Sequence, residues 1–364
     1  MKIPLKKNIK FAYNEAFELI VFMGMFACER QMTEVAEEYR IDIDPLNRTL
    51  YEDARSKLSP FMMREMEFFF AYDFLHKALD YTFYELIAAS PEPLSAEAFI
   101  AGIQKADARD RAAAMVFGVY SDKQESLLQG RTWEQAREDL PWLIERVKLT
   151  EPPQEVKGAH RPLLECLAHP EEAKQRYVAL ISQFYCDVFA GWAKRLREEC
   201  ERALIRYEAF FQADPERFII DIHKSEPALF DNRATFHVSV ISQVGNYHMW
   251  PLDYIHHFWV IFGANNDKVF GPAADREKAE LFFKALSDKR RMDFIILLRE
   301  RPRYGAELAA ELGITPAAVT YHANFFFFLD LVEFKRSDHR LYYHLNGERL
   351  RELLALTSRV LLDE

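Results

Sequence analysis

The sequence predicts a mainly α (α+β) protein. A large helical amino-terminal region, residues 1–272, carries a small antiparallel β section at about 217–270, and a compact head of short helices and two strands, residues 273–364, follows it. Three observations predict this. Apolar residues recur at three- and four-residue spacing through residues 14–212. From Arg217 that spacing gives way to β-branched and aromatic runs separated by turn residues. After the turn signals at residues 263–267 and Gly271-Pro272, short helical segments return, punctuated by Gly313 and Pro316. Hydrophobic residues make up 49% of 364, and 30 residues are Phe, which is core material for at least two domains.

Residues 14–30 read as a helix that is strongly apolar on one side. Lys2, Lys6, Lys7 and Lys10 ahead of it copy the charged start of an export signal, but Glu15 and Glu18 interrupt the apolar run and no small-residue cleavage pattern follows. Residues 48–58 are polar-amphipathic. Ser59-Pro60 then opens a fresh helix through about residue 78, since Ser supplies a cap and Pro suits a first turn. Phe61, Met62, Met66, Phe69, Phe70 and Phe74 repeat along it and read as core rather than as the lining of a ligand pocket. Residues 90–93 break the pattern, and Ser95 caps the next helix. Shorter helices are expected at 109–120, 133–140 and 141–149, and Glu151-Pro152-Pro153 reads as a linker or long loop. Residues 160–168, a long helix over 170–197 and a further helix to 212 follow. Pro170, Glu171 and Glu172 suit the positive end of that long helix. No apolar run reaches the roughly 18 residues of a membrane span.

The β section holds Phe218-Ile219-Ile220, residues 236–240 and residues 258–262 as strand-like runs. His237, His248, His256 and His257 lie close in sequence, yet adjacent strand residues point to opposite faces, so satisfied or surface histidines are expected and no metal site. Cys28, Cys166, Cys186 and Cys200 form no CxxC pair and read as reduced, mostly buried thiols of a cytoplasmic protein. Nucleophile elbow, phosphate loop, dinucleotide fingerprint and paired catalytic carboxylates are all missing, so no catalytic residue and no cofactor is expected.

The net charge is −10, but it is unevenly spread: residues 276–364 carry 15 basic and 14 acidic side chains, and the rest carries 32 and 43. The head is therefore free of the acidity that would repel DNA. In it, residues 277–286 form an apolar helix, Asp288 caps a second over 289–299, and Pro302 ends that region. A third helix over 304–312 stops at Gly313. Thr315-Pro316 starts a fourth, and strands at 331–335 and 341–345 and a last helix at 348–361 close the head. That order is the winged helix-turn-helix, whose recognition helix enters the major groove of double-stranded DNA. Val319, Ala323 and Phe326 share the inward side of the fourth helix. Thr315 caps it, and Ala317, Thr320, Tyr321 and Asn324 share the other side, with side chains suited to base edges. Arg336, His339 and Arg340 in the wing are expected on phosphates or in a minor groove. For Arg336 and Arg340 the alternative is a pair of solvated cations in a hairpin turn, and Lys289, Arg290 and Arg291 are further candidates for phosphate through their helix start.

Residues 283–288 with Arg291, Glu307-Leu308-Ala309, Leu312-Gly313-Ile314, Val319-Thr320-Tyr321-His322, Leu331-Val332 and Tyr342-Tyr343-His344-Leu345 together resemble ArsR-type regulators over residues 282–356. The resemblance implies a homodimeric transcriptional regulator that represses or activates promoters. Its dimer interface would join the first and last helices of the head, Phe282, Phe283 and Leu286 against Leu350, Leu353, Leu354 and Val360. The whole chain also resembles a bacterial subgroup in which such a head follows a long helical region. Three departures stand out. Tyr304 and Ala306 occupy the positions where metal-sensing members carry Cys, so that metal site is absent. Phe327 and Phe328 would be exposed in the head alone and are expected to be covered by the amino-terminal region or the partner subunit. The fourth helix has no Lys or Arg, which shifts DNA affinity towards wing and backbone contacts. The amino-terminal region is expected to sense an unidentified small-molecule effector or partner, or to set the dimer geometry. The alternative is a protein-interaction scaffold whose helix-turn-helix no longer binds DNA, favoured by the acidic first region and the uncharged fourth helix.

Overall fold

Side-chain caps set many of the described helix starts. Asn14 accepts from Phe17 N and opens the Glu15–Ala27 helix; Asp44, Ser59, Ser95 and Asp107 do the same for Pro45–Lys57, Pro60–Phe70, Ala96–Lys105 and Ala108–Tyr120. Thr132 and Gln135 form a reciprocal capping box at Trp133–Glu138. The structure, a computed structural model, describes residues 5–38, 43–72, 78–153, 156–223, 225, 227–249, 257–270, 272–315, 318–319, 322–323, 326, 329, 331–337 and 340–362. These residues are mostly helical with two small sheets, and they divide into two compact units, Met1–Asn266 and Asp267–Glu364.

In the first unit three sequence expectations are corrected. The helix opened by Ser59 ends at Phe70 rather than near 78, and Phe74 lies outside the described residues. The helix from Pro170 does not stop near 197: Pro170–Phe184, the π-turn Tyr185–Phe189 and Ala190–Ala213 are continuous, with no helix breaker between them. The Phe218 run is not a strand. Asp214 accepts from Arg217 N and Pro215 fixes the first turn, so Phe218–His223 continues as a π-helical turn.

The sheet is also mixed rather than antiparallel. Strands β1 (Ile9–Phe11), β2 (Arg233–Ser239), β3 (Asn246–Met249) and β4 (His257–Gly263) lie in the order β1-β2-β4-β3. β1 runs parallel to β2 and β2 to β4; only β3 and β4 are antiparallel. The uninterrupted apolar run of β4 fits a strand covered on both faces, the usual condition of parallel strands. Phe258, Val260 and Phe262 join one cluster, with Phe211, Phe218 and Phe236, while Trp259 and Ile261 join the main helical core. Each fully buried aromatic there contributes about 1.5–3 kcal/mol.

β2 alternates apolar Ala234, Phe236 and Val238 with Thr235, His237 and Ser239. His237 and Glu18 are wholly buried, at 0% exposure. His237 Nδ1 accepts from Asn14 N (3.2 Å), which places the proton on Nε2, and Nε2 donates to Glu18 (2.9 Å). Ile241 N donates to the other carboxylate oxygen at 3.1 Å. A carboxyl removed from water needs such donors, and here they tie the first long helix to the sheet.

The second unit has its own core of Phe282, Phe294, Leu308, Val319, Phe326 and Leu353 with their neighbours. Strands β5 (Arg303–Tyr304), β6 (Val332–Ser337) and β7 (Arg340–Leu345) form an antiparallel sheet in the order β5-β7-β6. The helices Pro272–Leu286 and Gly347–Leu362 pack against each other.

Candidate nucleic-acid interface

The second unit is built by local chemistry. Asp288 accepts from Arg291 N at 3.1 Å and starts Lys289–Glu300, and that backbone hydrogen bond holds its carboxyl below the usual range. The chain leaves this helix at extended Arg301. Arg303, 5% exposed, donates through Nε to Leu297 O (3.1 Å) and through Nη2 to Glu300 (2.9 Å), and its Nη1 pairs with Glu311. This guanidinium fastens the helix Gly305–Leu312 to the helix before it and is spent on structure. Glu307 caps Gly305–Leu312 through Tyr304 N (3.2 Å), and Gly313 ends it at φ 62°. A side chain is strained at that left-handed φ, whereas glycine is not.

Thr315 follows. It is exposed, and its hydroxyl accepts from Ala318 N at 3.2 Å while Val319 N donates to Thr315 O at 3.0 Å. The described residues of 318–326 are helical, and Val319, Ala323 and Phe326 are all 0% exposed. Phe326 packs on Phe294 with ring centroids 5.4 Å apart. His322 is buried as well. Burial pushes its imidazole pKa down, Asp288 opposes the shift, and Arg291 and Arg290 add to it.

Ala317, Thr320, Tyr321, Asn324 and His339 lie outside the described residues, as do Phe327 and Phe328. Arg336 and Arg340 stand on the paired strands, Arg336 opposite Leu341 and Arg340 opposite Ser337, while their side chains lie outside the described residues. Lys289 and Arg290 are exposed at the start of their helix, and Arg291 is half-buried. Lys284, Arg299 and Arg351, which the sequence reading passed over, are also exposed cations with no ion-pair partner among the described residues.

The seven residues expected to join two subunits separate into three groups. Phe282 and Leu353 are each 1% exposed and belong to the unit's own core, which corrects their assignment to an intermolecular surface: a side chain already enclosed by its own unit has nothing left to bury. Leu286, Leu350 and Val360 are half-buried. Phe283 and Leu354 are 49% and 53% exposed. Met292 and Ile296, one turn apart on Lys289–Glu300, are exposed apolar residues that the sequence reading missed.

Among the described residues no cluster of three or more His, Cys, Asp or Glu side chains could hold a metal, and no helix is long and apolar enough to cross a membrane. Tyr304 and Ala306 stand at the start of Gly305–Leu312. Of the histidines, His257 Nε2 lies 2.9 Å from Thr235 Oγ1, His248 pairs with His223, and His256 lies outside the described residues. Cys28, Cys166 and Cys200 are buried thiols, and Cys186 is an exposed one. No protein-family model matches the chain, and no curated protein matches it.

Proposed function

We propose that the chain is a DNA-binding transcriptional regulator of the ArsR type, acting as a homodimer on promoter DNA through a winged helix-turn-helix in its second unit. The observation that carries this reading is the inward stripe of the helix after Thr315. Val319, Ala323 and Phe326 are fully buried, the helix is capped by the Thr315 hydroxyl, and a tight glycine turn separates it from Gly305–Leu312. In the sequence pattern the opposite stripe is Ala317, Thr320, Tyr321 and Asn324, which are small or hydrogen-bonding and fit base edges. The antiparallel pair β6-β7 carries Arg336 and Arg340 beside its connecting turn, where a wing meets the sugar-phosphate backbone.

The test is fluorescence anisotropy with duplexes selected from a random pool. Affinity should fall steeply with salt, and Arg336→Ala with Arg340→Ala should weaken binding of every sequence and flatten the salt slope by about two phosphate contacts. Failure to select any duplex, or salt-independent binding, would favour the scaffold reading instead. The exposed Met292 and Ile296 would then be its contact surface.

A further inference from the structure

A cavity of about 350 Å³ opens in the first unit beyond the carboxyl end of β2. Its volume falls within the range of about 300–1,000 Å³ that holds small-molecule ligands, and the carboxyl ends of parallel strands are where such ligands commonly bind. Its apolar walls are Met25, Met32, Ile43, Val244 and the rings of Tyr51 and Tyr247. The methionines suit an occupant of irregular shape.

One wall is conformationally costly. Gln243 takes φ 54°, a left-handed backbone that only glycine adopts freely. The turn is held from several sides: Asn265 N donates to Gln243 O (2.7 Å), Gly245 N donates to Asn266 Oδ1 (2.8 Å), and Asp44 N donates to Gln243 Oε1 (3.1 Å). A Cβ on Gly263 would lie 2.4 Å from Gln243 O, so glycine is required there for the turn to close. The Gln243 side-chain nitrogen is left with no partner among the described residues. The Tyr51 hydroxyl is likewise buried with no hydrogen-bond partner, although a buried hydroxyl ordinarily finds one.

The charged lining is balanced. Arg55 and Glu29 pair through both Nη atoms of the guanidinium, one of them at 3.3 Å. Arg48 and Glu52, one helical turn apart, are exposed and form no bond with each other or with another described residue. One free cation and one free anion beside an apolar chamber match a ligand with both charges at one end and an apolar body. We infer that this cavity binds an α-amino acid with a large apolar side chain, its carboxylate towards Arg48, its ammonium towards Glu52 and its side chain among the methionines and tyrosines.

The inference concerns the first unit alone. Its test uses no DNA, so its failure and that of the duplex-binding reading are separate results. Full-length protein is titrated calorimetrically with L-phenylalanine, L-leucine, 3-phenylpropionate and phenethylamine. Phenylalanine or leucine should bind, and the two single-charge analogues should each bind about tenfold more weakly or worse. Arg48→Met should weaken phenylalanine and 3-phenylpropionate but spare phenethylamine, and Glu52→Gln should weaken phenylalanine and phenethylamine but spare 3-phenylpropionate. Both substitutions are on exposed positions and should leave the circular-dichroism spectrum unchanged. Met32→Trp, which fills the chamber, should abolish binding. The inference is overturned if neither amino acid binds at millimolar concentration, if 3-phenylpropionate binds as tightly as phenylalanine, or if Met32→Trp leaves the affinity unchanged.

Discussion

His223 lies 1% exposed on the π-helical turn, its Nε2 3.3 Å from His248 Nε2 and its ring stacked on Phe262. Burial first, and His248 second, push its pKa from 6.5 down to about 3. Between those two values the unfolded chain takes up a proton that the folded chain refuses, so stability is present above 6.5 and is lost as the pH falls towards 3. The slope from this one group is at most about 1.4 kcal/mol per pH unit. Urea midpoints measured between pH 4 and 7 should therefore fall with acid less steeply for His223→Phe than for the parent. Parallel curves would remove His223 from the acid response. The sequence shows the histidines of the 237–257 stretch as a group, but it does not mark His223. That side chain's state is set by rings contributed from β2 and β4, and a one-dimensional pattern does not carry those neighbours.

At the scale of elements, local chemistry was legible and long-range pairing was not. Ser59, Ser95, Asp288 and Thr315 each cap from their own sequence context, and Gly313 ends its helix with a left-handed φ. The short β1 and its parallel pairing with β2 join Ile9 to Ala234, and nothing near either residue announces the partner. The helix Tyr81–Ala88 was missed because its face is nearly all buried and so lacks a polar stripe to read. The run at Phe218 misled because three consecutive apolar residues fit a strand or a buried helix equally. In the second unit the caps imply a measurable cost. Thr315→Ala should destabilise the full chain by about 1 kcal/mol, and Thr315→Ser should restore most of it. Amide exchange at Ala318 should rise with the alanine variant alone. Unchanged exchange there would mean that the Thr315 hydroxyl does not hold the start of this helix.

At the scale of the whole molecule, the excess of acidic over basic side chains lies in residues 1–275, and residues 276–364 are close to neutral. A duplex would therefore be repelled less by residues 276–364 than by the rest, and a homodimer would supply two such heads in two-fold register with a palindromic site. The surface available for that dimer is narrower than the sequence implied, because Phe282 and Leu353 are internal. Phe283 and Leu354 remain its most exposed members, on the two helices that pack against each other. In a two-fold interface every side chain is buried twice, so each apolar side chain of this size contributes about 1.5–3 kcal/mol at two places. Replacing both with Glu puts four carboxylates into the same patch. Sedimentation equilibrium should accordingly find the parent dimeric at micromolar concentration. Phe283→Glu with Leu354→Glu should be monomeric, with an unchanged far-ultraviolet spectrum and duplex affinity lowered by about a hundredfold or more, as expected once two heads no longer bind as a unit. A parent that sediments as a monomer would remove the dimer from the proposal. A charged variant that stays dimeric would move the interface to another face, with the exposed pair Met292 and Ile296 the next to be tested.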